Sequence, residues 1–152
     1  MNLRRIEPVV LLVLRVGLGL IFRAAGGFKI GHAAEFAQEI AAFRLLPPPL
    51  IAPLALLMPF LEVMLGVYLV IGLFARASAW AAALLLLIFD LAIASAVARG
   101  LHLHCGCFGP NDQTVTTWTE VARDAVLVVL AVVLAVRGPG MLAVDRRIGT
   151  PS

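Results

Sequence analysis

The chain has 152 residues, of which 62% are hydrophobic and 14% are charged, and its mean hydropathy is +1.02. Ordinary soluble domains contain about half apolar residues, so this composition excludes a soluble globular protein and indicates an integral membrane protein. The net charge of +3 does not indicate nucleic-acid binding, because the basic residues are distributed around the ends of the hydrophobic segments.

Four segments are apolar and long enough to cross a bilayer, which takes about 20 helical residues. They cover residues 9–28, 54–73, 77–98 and 119–137, and a basic tail over 138–152 follows the last of them. We therefore predict an all-α membrane protein with a single domain over residues 1–152, folded as a four-transmembrane-helix bundle.

The connection between the first two spans has an amphipathic pattern. Phe36, Ile40 and Phe43 recur at helical spacing, while polar residues at 35, 38 and 39 take the other face. This pattern predicts a short amphipathic helix in the outer membrane interface. Two interpretations stay open for it, a plain connector and a lid beside the loop that contains the cysteines.

One helical face of the first span carries both charged residues and glycines. Alternating spacings of four and three residues place the following side by side: Arg15, Gly19, Phe22, Gly26 and Lys29. The second span has a comparable pair on one face, Glu62 and Gly66. Glycines let a neighbouring helix approach closely, so these faces predict close helix packing.

Glu62 lies near the middle of the second span, where an ionised side chain costs about 3 kcal/mol. It must be paired, protonated or in contact with water, and its expected partner by depth is Arg15. Two interpretations stay open. These charges either fix the register of the helices, or Glu62, Arg15 and Lys29 line a polar seam that binds and protonates a quinone head group.

A second acidic residue, Asp90, lies in the third span. At its depth we expect Arg23 or Arg123 to reach the carboxylate. For Asp90 the structural interpretation is the stronger one, in which the charge joins two helices and its loss strands a buried partner.

The basic residues predict the orientation of the spans. One side of the four-span topology receives six arginines: Arg4, Arg5, Arg76, Arg137, Arg146 and Arg147. The other side receives three basic residues diluted by two glutamates: Lys29, Arg44 and Arg99 with Glu35 and Glu39. By the positive-inside rule, both termini are cytoplasmic. The loop between spans three and four then lies in the periplasm, outside a bacterial inner membrane.

That loop contains both cysteines of the chain, Cys105 and Cys107, separated by Gly106. One glycine permits a tight bend that brings the sulfurs close enough to join. The small ring is expected to be strained, which raises its reduction potential and lets it accept electrons from another protein's thiols. No cysteine lies within a span or on the cytoplasmic side, so we expect the electrons to pass to a membrane quinone.

Two histidines, His102 and His104, precede the cysteines. Two imidazoles and two thiolates are a possible zinc ligand set. Four ligands inside this short run are, however, too crowded to surround one ion as a tetrahedron. We therefore predict no metal site and interpret the histidines as solvated side chains that help hold a cysteine as thiolate.

Three features resemble the MauE family of DoxX-like membrane proteins, which is named for methylamine utilisation. They are the stripe from Arg15 to Lys29, the Glu62-x3-Gly66 pair and Cys105-Gly106-Cys107-Phe108-Gly109. The resemblance implies a four-helix membrane protein that works with a thioredoxin-like periplasmic partner in maturing disulfide-containing proteins. It assigns the redox role to Cys105 and Cys107, and Lys29 and Glu62 also match family positions.

These inferences together predict a thiol:quinone oxidoreductase-like activity. A partner's thiolate attacks the Cys105–Cys107 disulfide, and the expected partners are a thioredoxin-like protein, membrane lipid and quinone. Two alternatives stay open: a non-catalytic membrane subunit that anchors a redox complex, and a heavy-metal binding or transport protein that uses the histidines and cysteines of the loop.

The predicted orientation can be tested with reporter fusions. Fusions after Arg76 and after Arg137 should both give cytoplasmic signals, because arginine-rich flanks are retained on that side of the membrane. A periplasmic signal at either position would contradict the topology and the oxidising compartment assigned to the cysteines.

Overall fold

The computed structural model of the protein describes residues 3–101, 103, 115–138, 140 and 143. These residues form five α-helices: α1 (Leu3–Lys29), α2 (Ala33–Ala42), α3 (Pro48–Ile71), α4 (Ala75–Ala98) and α5 (Trp118–Arg137). The predicted all-α fold is confirmed for this part of the chain. Both cysteines, His102, His104 and most of the basic tail lie outside the described residues.

Among the described residues, three helices are long and apolar enough to cross a membrane, over Glu7–Lys29, Pro48–Ile71 and Ala75–Ala98. They match the first three predicted spans, and the protein is accordingly a multi-pass membrane protein. α5 matches the fourth predicted span in position, but Glu120, Arg123 and Asp124 make its first two turns polar. A fourth crossing by α5, with both termini on one side, therefore stays a prediction.

The start of α3 differs from the predicted boundary at residue 54. The helix begins at Pro48, with Pro48 and Pro49 in its first turn. Backbone N–H groups in the first turn have no intrahelical acceptor, so the N–H that proline lacks costs no hydrogen bond there. Pro47 is the N-cap. At the other end Gly72 adopts a left-handed conformation, with φ of 77°, and terminates the helix.

The predicted amphipathic helix is confirmed as α2. Its residue Phe36 is buried, and the helix packs against α3. Its position in the outer membrane interface stays a prediction.

α1 and α3 pack antiparallel through the glycine-bearing face of α1, all five residues of which are buried. A Cβ atom on Gly19 would lie 2.8 Å from the carbonyl oxygen of Gly66, and one on Gly26 would lie 2.5 Å from that of Pro59. Side chains cannot approach a backbone so closely, so the separation of the two helices depends on these glycines.

α4 and α5 form a second antiparallel pair. Arg76, at the start of α4, donates hydrogen bonds to the carbonyl oxygens of Ala135 (3.1 Å) and Val136 (3.3 Å), at the end of α5. Arg137 then forms an ion pair of 2.7 Å with Glu7, which links α5 to α1. The core of the bundle contains Leu11, Leu18, Phe22, Leu65, Leu69, Ala79, Ala82, Ala83, Leu85, Ala131, Leu134 and Ala135.

This arrangement gives the bundle two distinct ends. α1 and α4 finish, and α3 and α5 begin, at the same end. We call it the cysteine end, because the segment with Cys105 and Cys107 connects α4 to α5 there.

The glycine contact can be tested with two adjacent positions. Gly26→Ala should destabilise the protein, because its new Cβ meets the Pro59 carbonyl oxygen, and the cost of such overpacking is about 1–3 kcal/mol. Gly27→Ala is the matched control, since nothing lies within 4 Å of a Cβ there and alanine favours the helix by about 1 kcal/mol. Thermal unfolding in detergent measures both. Equal melting temperatures would contradict the close packing.

Candidate functional site

A buried ion pair joins Lys29 and Glu62. Lys29 Nζ donates to both carboxylate oxygens of Glu62, at 2.9 Å and 3.0 Å. Lys29 is 3% exposed and Glu62 is 4% exposed. The close contact of Gly26 with Pro59 lets the lysine at the end of α1 reach Glu62, one turn further along α3. The charges therefore neutralise each other between two tightly packed helices.

Two aromatic rings complete the surroundings of the Lys29 ammonium group. Nζ lies 4.9 Å from the centroid of Phe36 in α2 and 5.5 Å from that of Phe89 in α4. Both distances are within the range of attraction between a cation and an aromatic ring. One ammonium group therefore contacts side chains from three other helices, α2, α3 and α4.

The predicted pairing of Glu62 with Arg15 is wrong. Arg15 is 1% exposed, and its guanidinium packs against Gly72, where any Cβ atom would collide with it. Gly72 follows Glu62 by ten residues along α3, which corresponds to about 15 Å. The carbonyl-rich end of α3 favours a cation there. The structure therefore brings together two of the three residues predicted for the polar seam, Lys29 and Glu62, and places Arg15 at the C-terminal end of α3.

The predicted partners of Asp90 are also wrong. Arg23 is exposed, and Arg123 pairs instead with Glu120 (2.6 Å) and Asp124 (3.1 Å) on its own helix. Within the described part of the chain, no basic side chain forms an ion pair with Asp90, and its buried Oδ1 has no hydrogen-bond partner. Asp90 therefore takes no part in the Lys29–Glu62 ion pair.

A largely apolar cavity of about 490 Å³ adjoins the ion pair. Its walls come from α2, the start of α3 and the second half of α4, and they include Phe36, Ile40, Phe43, Leu54, Met58, Ile88, Phe89, Ala92 and Ser95. Phe36 and Phe89 belong both to this wall and to the surroundings of Lys29. The ion pair therefore contacts two rings of the cavity wall without lining the cavity itself.

The cavity extends to the cysteine end of the bundle. There Arg99 donates one hydrogen bond to the carbonyl oxygen of Phe43 (2.6 Å) and another to that of Ser95 (3.1 Å), so it bridges two walls of the cavity. Four residues after Arg99 the chain pairs with the residues before α5, since Thr116 N donates to the carbonyl oxygen of Leu103 at 2.8 Å. The segment with the cysteines is therefore attached close to the Phe43–Ser95 end of the cavity.

The redox and metal predictions fall on Cys105, Cys107, His102 and His104, which lie outside the described residues. Within the described part, no group of three or more His, Cys, Asp or Glu side chains could hold a metal ion. Sequence reasoning missed the cavity and the role of Phe89. Only the apolar face of α2, with Phe36, gave a signal for the cavity.

The ion pair generates a stability prediction. Lys29→Met or Glu62→Gln alone should each cost about 3–5 kcal/mol, because a buried group loses its counter-charge. The double variant Lys29→Met/Glu62→Leu should recover most of that loss, since two apolar side chains replace two buried charges. Denaturation in detergent measures all three.

A matched control is Glu7→Gln, which breaks the exposed pair with Arg137 and should cost less than about 1 kcal/mol. A double variant as unstable as either single one would contradict the account of the buried pair.

The comparisons with known proteins agree on one family. Residues 7–137 match the family model described as Methylamine utilisation protein MauE. The chain is 40% identical over 131 residues to a methylamine utilization protein MauE of Paracoccus denitrificans, covering 86% of this chain and 70% of that protein. It is 38% identical over 130 residues to its counterpart in Methylorubrum extorquens, covering 85% and 70%. No solved structure matches significantly. The chain therefore belongs to the MauE family.

Proposed function

We propose that this protein is the membrane component of methylamine utilisation that passes electrons from thiols to quinone. In this proposal it lies in the bacterial inner membrane, its cysteines face the periplasm, and a thioredoxin-like protein supplies the electrons. The observation that carries the proposal is the position of the cavity, which lies between the attachment point of the cysteine segment and the Lys29–Glu62 pair.

The reaction uses the Cys105–Cys107 pair twice. A thiolate of the partner attacks the disulfide, which forms a mixed disulfide and releases one cysteine as a thiolate. The partner's second thiol then attacks the mixed disulfide and releases the other cysteine, so the partner leaves as a disulfide and both cysteines are thiols. The cysteines then lose two S–H bonds and re-form their S–S bond. Their two electrons and two protons pass to a quinone, which leaves as quinol. The electrons and protons therefore balance without any further reactant.

The cavity has the character of a site for a prenylated ring. Its walls are apolar except for Glu39 and Ser95, and its volume lies within the usual range of about 300–1,000 Å³ for ligand sites. A quinone would bury its hydrocarbon surface against Phe36, Met58 and Phe89, which line the interior.

In this proposal, Lys29 and Glu62 act as a support for the quinone site. Neither Lys29 nor Glu62 is among the described residues that line the cavity. The Lys29 ammonium group instead attracts the aromatic rings of Phe36 and Phe89, and its ion pair with Glu62 fixes its position. Arg15 packs against Gly72 at the C-terminal end of α3 and takes no part in the quinone site.

The experiment combines two readouts on purified protein in detergent. The first is quinone reduction by a dithiol, followed by absorbance. The second is the state of the cysteines, measured by alkylation before any reductant and by intact mass. We expect an intramolecular disulfide in the wild type, and loss of quinone reduction in Cys105→Ser and in Cys107→Ser.

The cavity is tested by a large side chain on its wall. Ala92→Phe should slow quinone reduction by about tenfold or more, because the new ring occupies the ligand's volume, while the disulfide stays reducible. Ala81→Phe places the same side chain on an exposed part of α4 and should change nothing.

Three results would overturn the proposal. Full quinone reduction in Ala92→Phe would exclude the cavity as the site. Full activity in cells after both cysteine replacements would favour the anchoring subunit. Metal bound to the purified protein at the cysteine segment would favour the metal-binding alternative.

A further inference from the structure

Thr116 is a buried polar residue between α4 and α5. It is 2% exposed. Its hydroxyl donates to the carbonyl oxygen of Leu101 and accepts from the backbone N–H of Leu103, both at 3.2 Å. Its own N–H donates to the carbonyl oxygen of Leu103 at 2.8 Å. We call this set of three hydrogen bonds the Thr116 clamp.

The clamp joins the two ends of the segment that carries the cysteines. Leu103 precedes Cys105 by two residues, and Thr116 begins the return of the chain into α5. Leu103 and Thr116, which flank residues 104–114 in the sequence, therefore lie beside one another.

The clamp is also fixed to the wall of the cavity. Leu101 N–H donates to the carbonyl oxygen of Ala96 at 3.0 Å, which folds the clamp back onto the last turn of α4. Ser95, in the same turn, lines the cavity, and Arg99 ties its carbonyl group to that of Phe43. The attachment point of the cysteine segment is thus held within one helical turn of the cavity wall.

The chemistry of the residue explains why a hydroxyl is useful here. A buried hydroxyl is costly unless it is hydrogen-bonded, and that of Thr116 is bonded on both its donor and its acceptor side. Valine has the same shape but leaves the Leu101 carbonyl and the Leu103 N–H without that partner. The hydroxyl therefore fixes the backbone of Leu101 and Leu103 relative to Thr116, which apolar packing alone would not do.

We propose that Thr116 is a positioning residue for thiol oxidation, holding the base of the cysteine segment beside the Phe43–Ser95 end of the cavity. The inference rests on the proposed function. A reacting group held near its partner reacts as if at high local concentration, so a small loss of position costs rate. Reduction of the disulfide by a small dithiol from solution does not need this position. The clamp therefore affects one half-reaction and spares the other.

The test compares Thr116→Val, which removes the hydroxyl, with Thr116→Ser, which keeps it. Each protein is reduced with dithiothreitol, freed of reductant and mixed with a short-chain quinone, and re-formation of the disulfide is followed by alkylation and mass. We expect Thr116→Val to be reduced at the wild-type rate but re-oxidised about tenfold or more slowly. Thr116→Ser should re-oxidise close to the wild-type rate. Thr119→Val removes an exposed hydroxyl nearby and is the control.

Each outcome decides one question. Re-oxidation of Thr116→Val at the wild-type rate, or of Thr116→Ser as slowly as Thr116→Val, overturns the role of Thr116 and leaves the proposed function intact. A wild-type protein that quinone does not re-oxidise overturns both. If Thr116→Val is not recovered folded, Thr116→Ala replaces it under the same criteria, and melting temperatures separate slow re-oxidation from general loss of structure.

Discussion

The buried ion pair between Lys29 and Glu62 is the interaction on which the architecture of the site depends. Two charges in a membrane helix pair are costly unless each satisfies the other. Here the pair is possible because glycine at position 26 lets α1 approach Pro59 closely enough for Lys29 to reach Glu62. The same ammonium group then attracts the rings of Phe36 and Phe89. The position of the cavity wall therefore depends on the ion pair, and the ion pair depends on the close contact between the helices.

These dependent contacts change how the polar residues within the membrane are interpreted. A glutamate at the middle of a span reads naturally as a proton donor to a ligand. In the structure its carboxylate accepts two hydrogen bonds from Lys29 and lies behind the aromatic wall of the cavity. Stabilisation and function are then not alternatives, because a residue that holds the wall in place also shapes the site for whatever binds there.

Much of the fold could be predicted from the chain, because hydropathy and glycine spacing are local properties. The face from Arg15 to Lys29 is buried as predicted. The partners of its charges could not be predicted, because depth in the membrane is a one-dimensional estimate. It does not contain the register between helices. The Gly26–Pro59 contact sets that register, and it places Glu62 opposite Lys29 while Arg15 reaches Gly72. The role of Phe89 could not be predicted, because an aromatic residue within an apolar segment has no sequence pattern that distinguishes it from its neighbours.

The number of cysteines imposes a further constraint on the proposed reaction. With two cysteines in the chain, the same sulfur pair must meet the periplasmic partner and the quinone in turn. Both encounters must then occur at the cysteine end. A quinone site deep in the bundle would be out of reach, whereas the cavity extends to Phe43 and Ser95, where Arg99 joins its walls. In the proposed reaction, a segment whose base is held next to that place lets one pair of sulfurs serve both encounters, and a second pair is not required.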